Sequence, residues 1–229
     1  MPNQDPLIHY NLRSYIDLNS PRPMNLNYAQ THVDPGVSIE LNPQGWRSPH
    51  DFDTLDWNSS ILMFGCSHVW GQGLNYEETA GHLLEQLTGR PVINLGIMGS
   101  GPKFAIETAV QLQTIYGPFQ PRAVVHIWSH YLRRCYQNER RPDHGHIWEQ
   151  EPDSPVSLEQ LNFEAQHWHQ LWPIIWPAST RVDRTFFSDT HHLLGMHIIP
   201  TLDRARDGAH PGILTNQHLA QDLYQAIQA

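Results

Sequence analysis

The stretch ILMFGCSHVWGQGLNYEET, residues 61–79, decides the fold, because it leads a buried strand into a tight polar turn. Residues 61–64 form a short apolar run that ends at Gly65, which is typical of a strand buried on both faces. Apolar side chains then recur at the spacing of one helix face until Gly89, namely Ala80, Leu83, Leu84 and Leu87. The sequence therefore predicts a strand, a turn and a helix in direct succession.

The alternation of strands and helices continues towards the C-terminus. Residues 91–95 predict a second strand, and a helix with one apolar face follows before a third strand at Ala123–Trp128. A last strand at residues 196–199 and a C-terminal helix complete the pattern. This order predicts an α/β protein with a central parallel sheet covered on both faces, which is a three-layer α/β/α sandwich with right-handed crossovers.

The length of 229 residues indicates one domain with an N-terminal extension. Residues 1–57 are rich in Pro, Asn, Asp and Ser and show little periodicity. We interpret them as an extended arm that packs on a domain formed by residues 58–229, with one strand of its own at residues 37–41.

A Trp-rich segment at about residues 136–190 is interpreted as an insertion into this domain. Ser157 followed by Gln160 is typical of the start of a helix. Tryptophans then recur every four residues, at Trp168, Trp172 and Trp176. Such a stripe either packs on the sheet, which we favour, or forms an aromatic wall over an active site.

Composition excludes several classes of function. The formal net charge of −9 and the scattered basic residues argue against binding to nucleic acid. No run approaches the roughly 18 apolar residues of a membrane span, and the first residues lack the basic and apolar pattern of a signal peptide. The two cysteines, Cys66 and Cys135, provide no disulfide framework. We therefore expect a cytoplasmic protein that binds neither nucleic acid nor membrane.

The 16 histidines raise the question of a metal site. Two pairs, His144 with His146 and His167 with His169, have a spacing found in some metal sites. No Cys pair or HExxH element accompanies them, and residues two apart do not share a helix face. We therefore expect neither a metal nor a cofactor.

Polar residues follow each predicted strand, at the edge where catalytic groups of open α/β sheets gather. Ser67 follows the first strand, glycines follow the second, Ser129 the third, and Asp207 and His210 follow the last. A serine hydroxyl needs a base to act as a nucleophile, and a histidine base needs a carboxylate that fixes its tautomer. This pattern predicts Ser67 as nucleophile, His210 as base and Asp207 as its partner. Glycine N–H groups would face the developing oxyanion.

Three blocks of this sequence resemble those of the SGNH (GDSL-like) hydrolases, over roughly residues 40–135 and 196–229. ILMFGCSHVWGQGLNYEET resembles the nucleophile block, INLGIMGSG the second block, and RDGAHPG the last, an Asp-x-x-His pair. LNPQGWRS is similar to an Asn-x-x-Gly-Phe-Arg segment that often precedes the first strand. The resemblance implies a flavodoxin-like SGNH fold and hydrolysis of a carboxylic ester through an acyl-enzyme on Ser67. It also implies an oxyanion donor at Gly99, and an O-acetyl group on a small-molecule or glycan carrier as substrate.

Two positions depart from the family pattern. Cys66 stands where the family has aspartate, and we expect its thiol to be buried and to point away from Ser67. The third block, usually Gly-x-Asn-Asp, reads HIWSHYLRR, so Ser129 takes the place of the asparagine that donates to the oxyanion. Weaker catalysis, a non-catalytic binding module, acyl transfer and a thiol mechanism at Cys66 all stay open at this point. So do purely structural roles for Ser67, as a helix cap, and for Gly99.

Overall fold

The strands of the central sheet lie where apolar runs predict them, with one addition. The computed structural model describes residues 36–130, 134–138, 141–147 and 157–228, with the backbone alone at 134–138, 141–147 and Leu158. The strands are β1 (Ile61–Gly65), β2 (Val92–Gly96), β3 (Ala123–Trp128), β4 (Arg134–Asn138), β5 (Arg141–Ile147), β6 (Thr180–Thr185) and β7 (His197–Ile198). Five of them form a parallel sheet in the order β2-β1-β3-β6-β7, and β4 pairs with β5 in a separate antiparallel hairpin.

Helices cover both faces of this sheet. They are α1 (Ser67–Trp70), a 3₁₀ helix (Tyr76–Glu78), α2 (Ala80–Thr88), α3 (Pro102–Tyr116), α4 (Leu158–Ile175), α5 (Ser188–Leu194) and α6 (Ile213–Gln228). On one face, α3 and α4 pack with Phe64 and Trp128 in an apolar cluster. On the other face, α2 and α6 pack against Met63 and Val125. Every residue of β1 and β3 is buried, and His126 is the one polar side chain in these two mostly apolar strands. The predicted three-layer α/β/α sandwich is confirmed.

Part of the expected arm packs directly on the domain. Trp46, Phe52 and Trp57 are buried in the cluster on the α3 and α4 face. Residues 1–35 lie outside the described part of the chain. The strand expected at residues 37–41 is wrong, because that segment has no strand hydrogen bonding.

The interpretation of residues 136–190 as an insertion is wrong for most of this segment. α4 covers the sheet, and β6 lies inside it between β3 and β7. Trp172 and Trp176 are each 2% exposed, so packing on the sheet, not a lid, explains these two residues. Ser157 accepts a hydrogen bond from the Gln160 N–H and begins α4 as predicted. Among the helices of the described part of the chain, none combines the length and apolar character needed to cross a membrane.

Candidate active site

Ser67 lies at the point where β1 ends and α1 begins. It is the first residue of α1, and its side chain is buried at the carboxyl edge of the sheet. The C-terminal end of this one-turn helix is held by two side chains from elsewhere. Asn94 of β2 donates to the Val69 carbonyl oxygen at 2.8 Å. The second side chain that holds this end of α1 is Arg47.

Arg47 lies just before the first strand and is 1% exposed. Its guanidinium donates to the carbonyl oxygens of Trp70, Gly71 and Leu74 at 3.1, 2.7 and 2.5 Å. Burial lowers the pKa of Arg47 to about 10, while nearby Glu77 acts in the opposite direction. Because it stays charged at neutral pH, Arg47 neutralises the negative end of α1 and fixes the turn that follows Ser67.

The loop between β7 and α6 carries Asp207 and His210. One oxygen of Asp207 accepts the backbone N–H groups of Ala209 and His210 at 2.9 and 3.0 Å, which shapes the turn. The other oxygen bonds to Nδ1 of the His210 ring. Burial alone would raise the pKa of Asp207, but these hydrogen bonds outweigh it and the pKa is lowered. The carboxylate is therefore ionised at neutral pH.

The His210 ring joins this carboxylate to the serine. Its Nε2 lies 2.9 Å from the Ser67 oxygen. Because an ionised carboxylate only accepts hydrogen bonds, Nδ1 carries the proton and Nε2 presents its lone pair to the hydroxyl. Ser67 and the Asp207–His210 pair, which lie in two separate blocks of the sequence, thus form one hydrogen-bonded chain.

The loop after β2 carries Gly99 at the same edge. Residues 97–100 form a tight turn in this loop, in which the Ser100 N–H donates to the Ile97 carbonyl oxygen at 3.1 Å. Gly99 is the third residue of the turn and has φ +76°, a conformation that favours glycine. The Ser100 hydroxyl and the Ile97 N–H both donate to the Gly65 carbonyl oxygen at 3.0 Å. The Gly99 turn is therefore fastened to the end of β1, two residues before Ser67.

Ser129 comes from the neighbouring strand β3. Gly65 of β1 pairs with Ile127 of β3, so Ser67 and Ser129 each lie two residues beyond paired positions. Ser129 is 2% exposed, and within the described part of the chain its hydroxyl has no hydrogen-bond partner. A buried hydroxyl without a partner is costly and is typical of a site that receives a ligand group or water.

Cys66 differs from expectation in one respect. The thiol is free and buried, as predicted. Its sulfur, however, lies 4.0 Å from the Ser67 oxygen and does not point away from it. A thiol at this distance is at most a weak hydrogen-bonding partner of the hydroxyl.

Aromatic rings that the sequence did not reveal form one side of the site. The His68 ring stacks on Phe187 at 5.6 Å and packs edge-on against the His210 ring, also at 5.6 Å. His130 packs against Phe187 at 5.5 Å, and its Nε2 lies 3.4 Å from a carboxylate oxygen of Asp189. These rings come from the ends of β1, β3 and β6, so only the fold brings them together.

Metal-ligand side chains do not gather in the described residues, where no group of three His, Cys, Asp or Glu could hold an ion. The side chains of His144 and His146 lie outside the described residues. His169 on α4 instead faces Asp183 of β6, with Nε2 3.7 Å from the carboxylate. His167, the other member of this pair, stacks on Phe163 at the surface of α4.

The architecture is shared with solved esterase structures. One is a carbohydrate esterase with divergent catalytic and non-catalytic binding functions in its active site (12% identity, 76% of this chain, 66% of that chain, TM-score 0.54). The fold is that of the SGNH (GDSL-like) hydrolases. A second match is a family two carbohydrate esterase from Clostridium thermocellum in complex with cellohexaose (11% identity, 74% of this chain, 63% of that chain, TM-score 0.50). At these identities the similarity is one of fold.

A third match is the acetyl xylan esterase Est2A from Butyrivibrio proteoclasticus (9% identity, 76% of this chain, 64% of that chain, TM-score 0.49). The chain thus spans just under two thirds of the length of these three esterases. No model of a known protein family matches the sequence. No curated protein sequence matches it either.

Proposed function

We propose that the protein is a serine hydrolase that cleaves carboxylic esters through an acyl-enzyme on Ser67. The observation that carries this proposal is the 2.9 Å separation between His210 Nε2 and the Ser67 oxygen, with Asp207 bonded to the other ring nitrogen. A hydroxyl, an imidazole and an ionised carboxylate in this order make up the catalytic triad of serine hydrolases.

The proposed reaction has two halves. In the first, His210 takes the Ser67 proton as the serine oxygen attacks the ester carbonyl carbon, and it returns that proton to the departing alcohol as the ester C–O bond breaks. In the second, His210 takes a proton from water, the hydroxide attacks the acyl carbon, and Ser67 regains its proton as the carboxylic acid leaves. Asp207 stays ionised and stabilises the imidazolium in both halves.

The oxyanion of each tetrahedral intermediate would be held by the backbone N–H groups of Ser67 and Gly99 and by the Ser129 hydroxyl. The turn that fastens Gly99 to the end of β1 supports this assignment. So does the buried, unpartnered state of the Ser129 hydroxyl within the described residues. A donor fixed in advance at this position stabilises charge without reorganisation during the reaction.

The substrate class we propose is a small acyl ester on a polar carrier, with O-acetyl on a carbohydrate as the first choice. Its support is the fold shared with carbohydrate esterases. Every proton in the proposed reaction moves between Ser67, His210, water and the departing alcohol, so no cofactor is needed for this scheme.

A fluorophosphonate probe combined with an aryl acetate assay tests the proposal. We expect the wild type to gain one adduct on Ser67 by intact and peptide mass spectrometry, and to hydrolyse the acetate faster than the butyrate ester. Ser67→Ala should take up no probe and lose turnover by at least about 10³-fold. The matched control is Cys66→Ala, which removes the neighbouring nucleophile and should keep the adduct. Probe on the sulfur of Cys66, or full turnover by Ser67→Ala, would refute the serine mechanism.

A second candidate is a non-catalytic binding module on the same scaffold. The two departures at Cys66 and Ser129 favour it, because both replace groups that support catalysis in the family it resembles. Absence of labelling and of turnover, together with binding of an acetylated oligosaccharide, would decide for this candidate. Acyl transfer by the same residues would instead show as an acylated acceptor alcohol formed in preference to the free acid.

A further inference from the structure

The two halves of the proposed active site belong to loops that are separate in the chain. Ser67 and His210 are 143 residues apart. The His210 loop has its own internal framework, since the Ala205 N–H donates to the His210 carbonyl oxygen at 2.9 Å and the Gly212 N–H to that of Asp203 at 3.0 Å. These bonds give the loop its shape, but they do not determine where it lies relative to Ser67.

Arg206, directly before Asp207, connects this loop to the segment that follows α1. Its guanidinium forms a bidentate ion pair with Glu78, with nitrogen–oxygen distances of 2.5 and 2.6 Å. The same guanidinium and the Arg206 backbone N–H both donate to the Gly73 carbonyl oxygen, at 3.3 and 3.2 Å. Bidentate pairing fixes direction as well as distance.

The loops also touch directly at Gly73. This residue has φ +76°, and a Cβ placed on it would lie 2.9 Å from the Ala205 Cβ and 3.1 Å from the Asp207 carboxyl carbon. The two backbones can approach this closely only because residue 73 has no side chain. Any shift of Arg206 relative to Gly73 would therefore be passed to Asp207.

The other end of the connection is tied to Ser67. The N–H groups of Gly71 and Gln72 donate to the Ser67 carbonyl oxygen at 3.0 and 3.2 Å. Glu78 is held in place because its carboxylate also accepts the Asn75 N–H at 2.8 Å. A continuous path of hydrogen bonds and ion pairs thus runs from Ser67 through residues 71–78 to Arg206.

We infer that the Glu78–Arg206 pair is a positioning clamp, which sets the separation between the Ser67 hydroxyl and the His210 ring. This inference rests on the proposed hydrolase function. Neither residue touches the reacting atoms. Their effect is exerted through Asp207 and His210, whose alignment determines how readily the serine proton is transferred.

Glu78→Gln and Arg206→Gln test the clamp, because glutamine keeps most of the side-chain size and removes the charge. Each should lower kcat on an aryl acetate by about tenfold and leave KM within about twofold, since misalignment affects proton transfer more than binding. The double variant should lose no more than either single variant, because both remove the same interaction. Exchanging the two residues, as Glu78→Arg with Arg206→Glu, should recover part of the kcat that each charge reversal loses alone.

Amide hydrogen exchange across residues 205–212 gives a readout that needs no catalysis. We expect the Ala209 and His210 N–H groups, which donate to Asp207, to exchange several-fold faster in Glu78→Gln. The matched control is Asp222→Asn, which breaks the ion pair between Arg184 and α6, with the same nitrogen–oxygen distance of 2.5 Å and a carboxylate side chain as exposed as that of Glu78, 21% in both. It should lower Tm comparably and leave both kcat and the exchange of this loop unchanged.

Two results would overturn the clamp. One is a fall in Tm for Glu78→Gln with kcat and loop exchange unchanged, which would mean that the pair only stabilises the fold. The other is equal loss of kcat in Asp222→Asn. If the wild type neither binds the probe nor hydrolyses esters, while Glu78→Gln still releases the loop, the hydrolase proposal fails and the structural clamp stands.

Discussion

Two histidines of this molecule occupy opposite environments, although both are bonded to defined partners. His210 lies at the carboxyl edge of the sheet, with a carboxylate on one ring nitrogen and a hydroxyl on the other. His126 lies in the middle of β3 and is 2% exposed, and its Nδ1 accepts the indole N–H of Trp172 at 3.1 Å. Its ring also packs at 4.3 Å against Trp128.

The difference between them is the ability to hold a second proton. An indole N–H can only donate, so the His126 ring must keep Nδ1 unprotonated. Burial lowers the pKa of His126 to about 3, against the opposing pull of Asp183. At His210 the ionised Asp207 is bonded to one ring nitrogen and the Ser67 hydroxyl faces the other, so in the proposed reaction this ring takes the serine proton. The same side chain is thus a fixed hydrogen-bond acceptor in the core and a candidate proton carrier at the edge.

The largest expected effect comes from replacing the carboxylates of the two regions. Asp207→Asn should lower kcat by about 10⁴-fold, because an amide no longer holds the required tautomer of His210 or stabilises its cation. Asp183→Asn should keep turnover within about threefold but lower Tm, because Asp183 is paired with Arg181 at 2.5 Å and accepts the Trp128 indole N–H at 2.8 Å. Initial rates and thermal melts of both variants check this. Turnover lost in Asp183→Asn at unchanged Tm would erase the distinction between the two regions.

Two buried serines at opposite edges of the sheet test the distinction between a catalytic and a structural region further. Ser129→Ala should lower kcat by about 10²-fold with little change in KM, as loss of an oxyanion donor does. Ser60, before β1, is 0% exposed and donates to the Trp57 carbonyl oxygen at 2.8 Å. Ser60→Ala should cost about 1 kcal/mol of stability and leave kcat unchanged. Steady-state kinetics and denaturant unfolding of the pair measure both effects. An unchanged kcat in Ser129→Ala would remove this residue from the proposed oxyanion site.

The hydrogen-bonded chain was accessible to sequence reasoning because its members lie in polar, glycine-containing turns that follow strands of the parallel sheet. Asp207 and His210 are three residues apart, and Ser67 follows an apolar run that ends at Gly65. Each signal is local, and parallel topology brings strand ends to a common edge.

The supports of the site, Arg47 and Arg206, lie in the quoted segments LNPQGWRS and RDGAHPG, but no local signal shows which residues they bind. Arg47 bonds to residues 23 to 27 positions away, and Arg206 to Glu78 across 128 positions. A single charged residue in a loop forms no periodic pattern, so only the folded chain reveals its partner. β6 was missed for a related reason. In TRVDRT only Val182 and Thr185 are buried, so there is no apolar run. Its charged residues instead pair with the helices on either side, Asp183 with His169 of α4 and Arg184 with Asp222 of α6.

The smallest effect tests the core histidine through the pH dependence of stability. In the unfolded chain His126 binds a proton below about pH 6.5, whereas in the folded protein it binds one only near pH 3. Between these values the unfolded state holds the extra proton, so the free energy of unfolding falls as pH is lowered. From pH 6 to pH 5 this contribution should be about 1 kcal/mol.

His126→Asn keeps an acceptor for the Trp172 indole and removes the titration. The free energy of unfolding is measured in urea at pH 6 and pH 5 for both proteins. Its fall between these pH values should be about 1 kcal/mol smaller in the variant than in the wild type. The turnover of the variant should stay close to normal. Parallel stability curves would mean that His126 is protonated in the folded state. The contrast between the two histidines would then be lost, because His126 would no longer exclude a proton from the core.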